Sequence, residues 1–141
     1  METQKEEIKI ANQIEAIQHF IKNMDIEMID AFLDNDLTYQ DFKKNIFINK
    51  LSKSFEVFKI DGDTTLSSYL GTCNVCDKTK TGYTFIGNKT HNYMSIIFDT
   101  ADGKIKDLYE CSDFKNKKDG LILNKRIFIN DDLELNDNEP F

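Results

Sequence analysis

At 141 residues, with 40% hydrophobic content and eleven phenylalanines, the chain suits one domain that buries about 70% of its unfolded surface. Its net charge of −7 argues against nucleic acid and against anionic membrane surfaces, both of which are held by clustered Lys and Arg. The opening METQKEEIK lacks an apolar signal core, and no run approaches the length of a membrane span, so the expectation is a cytoplasmic chain without a membrane partner.

The first third reads as helix. Ile10, Ile14, Ile17, Ile21 and Met24 recur at steps of four, three, four and three, which draws one apolar stripe down a helix. Asp25 is a candidate N-cap for a shorter second helix carrying Ile26, Ile29, Phe32 and Leu33,. DNDLTYQD is too polar to continue it, and Leu37 to Tyr39 reads as a short strand. Phe47, Leu51, Phe55 and Phe58 predict a third helix from about Lys43 to Lys59, stopped at Asp61-Gly62-Asp63,.

Thr65 to Cys111 reads as one twisted antiparallel meander. Within it, TGYTFIGNKTHNYMSIIFD runs without proline as one long strand, with Gly87-Asn88 as its β-bulge, and Asp102-Gly103 turns it back into KIKDLYEC,. SDFKNKKDG reads as a polar loop, and RIFI, Arg126 to Ile129, as a final edge strand. One domain therefore covers residues 1–130. Residues 131–141, with five acidic side chains, no basic ones and the only proline, read as a mobile acidic tail.

This order of elements, carried by AFLDNDLTYQDFKKNIFINKLSKSF, GYTFIGN and SIIFDTADGKIKDLYEC, resembles the nuclear-transport-factor-2-like superfamily, also called SnoaL-like or ketosteroid-isomerase-like. The resemblance spans roughly Ile10 to Arg126. It implies an α+β cone: three N-terminal helices packed in a curved four- to five-stranded antiparallel sheet, with a cavity at its open end. It also implies a homodimer through the outer sheet face. That superfamily holds isomerases, dehydratases, cyclases, transport factors and non-catalytic binding modules, so the fold leaves the function open.

Chemistry in such a pocket needs an ionisable group in an apolar setting with an oxyanion donor nearby. Asp107 and Tyr109 are the candidate catalytic pair. With a two-residue turn at Asp102-Gly103 they share a face with Met94, Ile96, Phe98 and Ile105; a bulge shifts them to the face of Tyr93, Ser95 and Ile97. The alternative leaves Asp107 in solvent and Tyr109 in ordinary sheet packing. Tyr39, Tyr69, His91 and Tyr93 are candidate ligand-binding residues, His91 at a cavity mouth after the Gly87-Asn88 kink.

Cys73 and Cys76 form a CxxC, and His91 with Cys111 would complete four zinc ligands,. Residues three apart on a strand face opposite ways, and His91 and Cys111 are single and placed further along the ladder. The expectation is therefore no metal, no cofactor and no intramolecular disulfide, the three cysteines suiting a reducing compartment,. No GxGxxG, GxxxxGK[ST], HExxH or GxSxG occurs,. Three readings follow: a domain binding a small apolar ligand without catalysis, a cofactor-independent lyase or isomerase using Asp107 and Tyr109, and an acidic protein-interaction module.

Overall fold

In the computed structural model, which describes residues 13–73, 79–111 and 113–129, the apolar stripe forms helix α1, Gln13–Lys22, and buries Ala16, Ile17, Phe20 and Ile21. Ile10 lies outside the described residues. Met24, itself buried, takes a positive φ of 54° and turns the chain. Asp25 then caps α2, Ile26–Phe32, its carboxylate accepting from the Met28 N–H at 3.3 Å. Strands β1, Thr38–Tyr39, and β2, Phe42–Lys43, make a small hairpin. Its two connecting residues, Gln40 and Asp41, both have positive φ, 52° and 68°. Such angles are uncommon outside glycine and persist where surrounding contacts enforce them.

Helix α3, Lys44–Ile60, buries Phe47, Leu51, Ser54, Phe55 and Phe58. It stops where Gly62, at φ 111°, lets its N–H return to the Lys59 carbonyl. The sheet follows: β3, Leu66–Cys73; β4, Thr81–Gly87; β5, Tyr93–Ala101; β6, Lys104–Glu110; β7, Phe114–Asn116. Its order is β6-β5-β4-β3-β7, and every neighbouring pair is antiparallel. Among the described residues this gives the expected α+β class, with three helices and a five-stranded antiparallel sheet. None of these helices is long and apolar enough to cross a membrane.

One sheet face carries Leu66, Phe85, Met94, Ile96, Phe98, Ile105 and Leu108, which join Phe47, Leu51, Phe55 and Phe58 of α3 in a single buried core. The opposite face carries a second cluster of Cys73, Ile97 and Cys111, with Tyr109 and Phe114 packed on it. That second face is already covered within one chain: Ile97 is 0% exposed, Cys73 1% and Thr84 0%.

Three expectations are corrected. The run from Thr81 to Asp99 is two strands, β4 and β5, paired antiparallel around a tight connection at residues 88–92, instead of one bulged strand. The cause is distant in sequence. Buried Asp63 accepts from the Lys89 N–H at 2.7 Å, the Thr90 N–H at 2.9 Å and the Thr90 hydroxyl at 2.6 Å, and so folds the connection around itself. The lysine-rich stretch read as loop contains β7, which pairs Phe114 with Cys73 and Asn116 with Gly71. Arg126 to Ile129 is not a regular strand. Arg126 forms one parallel bridge with Tyr93, while Ile127 and Ile129 enter the main core. The acidic segment 131–141 lies outside the described residues.

The β1–β2 turn docks on β6, one edge of the sheet. Gln40 donates its N–H to Asp107 Oδ1 at 2.9 Å, and its side-chain oxygen accepts from the Glu110 N–H at 2.8 Å. These two bonds hold the positive-φ turn in place.

Candidate functional site

The turn at Asp102-Gly103 has the expected two-residue form, pairing Ala101 with Lys104 and Thr100 with Ile105. A register shift between Asp99 and Thr100 then sets Asp99 opposite Asp107, Phe98 opposite Leu108 and Ile97 opposite Tyr109. The extra residue flips everything after Ile105 to the other face. Ile105 and Leu108 consequently join the main core, and Asp107 and Tyr109 lie on the face away from α3. The placement among Met94, Ile96, Phe98 and Ile105 is overturned, and the shifted alternative is the one adopted.

Asp107 is half-buried, with Oδ1 accepting from Gln40. Burial raises its pKa, the backbone N–H groups of Gln40 and Leu108 oppose this, and Asp99 and Asp41 add to the rise. Tyr109, packed on the thiol cluster, is also raised, chiefly by burial. An aspartate with a raised folded pKa keeps a proton that the unfolded chain has already released. Stability therefore falls as pH rises from the ordinary carboxylate value of 3.8 through the folded pKa. Asp107→Asn, whose amide oxygen still accepts from Gln40, should flatten that slope. Urea midpoints compared from pH 4 to pH 7 test this, and identical slopes for both proteins would refute it.

The four candidate ligand-binding residues separate. Tyr39 is fully buried in the main core, its hydroxyl donating to the Asp34 carbonyl at 3.0 Å and its pKa pushed up to about 12 by burial. It is a satisfied core tyrosine. Tyr93 sits on β5 opposite Ile86, its backbone N–H bonded to the Lys125 carbonyl and its carbonyl to the Ile127 N–H. Tyr69 and His91 come together. Tyr69 projects from β3, and His91 stands within the connection folded by Asp63, at φ 64°. The His91 N–H bonds to the Gly87 carbonyl at 3.1 Å, and its carbonyl accepts from Asn124 at 2.8 Å.

Between Tyr69 and His91 lies a surface cavity of about 360 Å³, walled by Ile86, Leu121 and Ile122, with Lys118 at its side. The Lys118 ammonium stands 5.6 Å from the Tyr69 ring centroid, within cation–π range,. Among the described residues, no carboxylate lines this cavity. Its chemistry is therefore an aromatic and aliphatic surface with an ammonium and an imidazole. Lys118, Leu121 and Ile122 were missed in the sequence because they belong to a stretch without periodicity, brought over the sheet by β7.

The thiols of Cys73 and Cys111 meet, Sγ to Sγ at 3.0 Å. The expected separation of Cys111 from the CxxC is thus corrected for Cys73; Cys76 lies outside the described residues. Contact is possible because only residues 111–113 connect β6 to β7, which pairs with β3. His91 stands at the cavity beside Tyr69 instead, and no group of three metal-ligating side chains occurs among the described residues.

No family model, curated protein or solved structure matches the chain.

Proposed function

We propose that this chain is a non-catalytic ligand-binding domain of nuclear-transport-factor-2-like architecture, which takes a small apolar molecule with an anionic or carbonyl end between Tyr69 and His91. The observation that carries this reading is the convergence of those two side chains on one cavity walled by Ile86, Leu121 and Ile122. Apolar walls supply burial, and a few placed polar groups orient the ligand. Lys118 and His91 are the groups able to meet its polar end. The cone-like shape is supported by chain length. Four strand spacings cover ~19 Å on a flat sheet, yet Glu110 and Phe114 are joined by a link that reaches at most ~14 Å. Edges tied this closely favour a curled sheet over a flat one.

The space between α3 and the sheet is packed: Phe47, Leu51, Phe58, Phe85, Met94 and Ile96 are all 0% exposed. The ligand site is therefore the surface cavity beside Tyr69. Binding is favoured over catalysis because Asp107 is bonded to Gln40 and does not line that cavity.

The test uses anilinonaphthalene sulfonate, an apolar fluorophore with one anionic group. One molecule per chain is expected to bind, and Tyr69→Ala to weaken it at least tenfold through loss of the ring surface, worth about 1.5 kcal/mol or more. Lys118→Gln should weaken it less. Undiminished binding by both folded variants, or no binding to the wild-type chain, would overturn the proposal.

A further inference from the structure

The paired thiols and the cavity beside Tyr69 are joined by one continuous seam. Cys73 ends β3 opposite Phe114, the first residue of β7. From there the pairing runs through Thr72 with Lys115 and Gly71 with Asn116, and the Lys117 N–H carries it on to the Leu70 carbonyl at 2.9 Å. The next residue on each side completes the row, since the Lys118 ammonium stands 5.6 Å from the Tyr69 ring centroid. Cys73 and Tyr69 are thus four residues apart, roughly 13 Å along a strand. The Phe114 ring lies directly on Gly71, where any Cβ would collide with it, so the seam is packed too tightly to deform piecemeal,.

Beyond the seam, residues 117–125 have no helix or strand and cross the cavity as a strap. Lys118, Leu121 and Ile122 of this strap wall the cavity, and Gly120 bends it at a φ of 77°. Its far end is tied to the opposite wall. Asn124 donates its N–H to the His91 carbonyl at 2.8 Å and its side-chain amide to the Thr90 carbonyl at 3.3 Å. Ile122, 69% exposed at the rim, has apolar surface left to bury when the strap closes on a ligand,.

At the other end of the seam the Cys73 and Cys111 sulfurs are 3.0 Å apart. Cys111 directly precedes the link into β7, so a bond between the sulfurs would staple the entry to β7 against the β3 residue that Phe114 faces. We propose that Cys73 and Cys111 form a redox switch that sets how firmly the strap closes over the cavity, an inference that rests on the ligand site beside Tyr69. A packed, hydrogen-bonded row is a physical means by which one site biases another.

The co-reactant is a low-molecular-weight disulfide such as oxidised glutathione. One protein thiolate attacks it, expelling the first glutathione and leaving a mixed disulfide; the second protein thiolate then expels the other glutathione as the Cys73–Cys111 bond forms. Two protein thiols are oxidised, one glutathione disulfide is reduced to two thiols, and the two protons pass from the former to the latter. Both protein sulfurs are buried, so the exchange waits on local opening of the link and of β7. The coupling is reciprocal: whatever factor oxidation adds to ligand affinity, the ligand adds to the stability of the disulfide.

The test uses the full chain carrying Cys76→Ser, in which Cys73 and Cys111 hold the only thiols. It is equilibrated in reducing and in oxidising glutathione buffers, peptide mapping follows the Cys73–Cys111 bond, and anilinonaphthalene sulfonate is titrated into each form. The oxidised form is expected to bind the dye about fivefold or more tightly than the reduced one, and saturating dye to shift the half-oxidation point by the same factor. Adding Cys111→Ser should leave a single affinity in both buffers. Oxidised binding that is equal or weaker, a dependence that survives Cys111→Ser, or absence of the bond at every glutathione ratio would overturn the switch and leave the ligand site standing. No dye binding in either form would overturn the ligand site and the switch with it.

Discussion

Gly87→Ala is expected to cost about 3 kcal/mol or more of stability, because the new methyl would displace a buried carboxylate from its partners. A Cβ at Gly87 would sit 2.1 Å from Asp63 Oδ2. Asp63 is 2% exposed, and its two oxygens accept from the Lys89 N–H, the Thr90 N–H and the Thr90 hydroxyl. Neither side has room to give. The carboxylate is pinned by those bonds, and Gly87 sits in the β3–β4 ladder opposite Leu66. Pushing Asp63 aside breaks charge-assisted bonds and leaves a charge poorly solvated. Urea denaturation measures the loss, and a change below about 1 kcal/mol would show that the site relaxes more easily than the packing implies. Asp63→Ala should cost a similar amount, and the double variant less than the sum, since both changes break the same unit.

Oxidation of the Cys73 and Cys111 thiols, 3.0 Å apart, should act in the opposite direction. The two residues are 38 positions apart, and closing a loop of that size restricts the unfolded chain by about 4 kcal/mol in the chain-entropy model. Treatment with diamide is expected to remove two of the chain's three titratable thiols, yield a Cys73–Cys111 peptide on mapping and raise the denaturation midpoint. Cys73→Ser should abolish all three effects. Persistence of three thiols in the denatured protein, or a lowered midpoint, would sink the idea. The expected separation of Cys111 from Cys73 rested on strand alternation and on their distance along the ladder. It could not include the short link that carries the chain from β6 over to β3's far side.

What was legible in the sequence is what local physics decides. The apolar rows Ile14-Ile17-Ile21 and Phe47-Leu51-Phe55-Phe58 marked two helices because burial on a helix repeats every three to four residues. Asp25 was legible as a cap and Asp102-Gly103 as a turn, since both depend on neighbours in the chain. The connection at 88–92 was not, because Asp63, some 25 residues earlier, builds it. Nothing in KIKDLYEC announces the shift after Ile105 that sends Asp107 and Tyr109 to the other face. Tyr69 and His91 were visible singly as candidate hydroxyl and imidazole. Their cavity was not, because Lys118, Leu121 and Ile122 reach it only through β7, three residues whose pairing with β3 leaves no periodic trace.

The bonds that fasten Gln40 to β6 have a consequence for how these molecules meet one another. A bare outer strand offers a row of donors and acceptors to any extended chain, the first step towards cross-β fibres. On β6 part of that row is closed: the Glu110 N–H is taken by Gln40, and the Asp107 side chain beside it is turned to the Gln40 N–H. The opposite border, β7, is three residues long and followed by Lys117 and Lys118. A foreign strand finds an occupied row at one border and a short, basic one at the other. The Gln40-Asp41 turn, uncommon by its φ angles alone, is thereby a guard against runaway stacking of sheets from chain to chain.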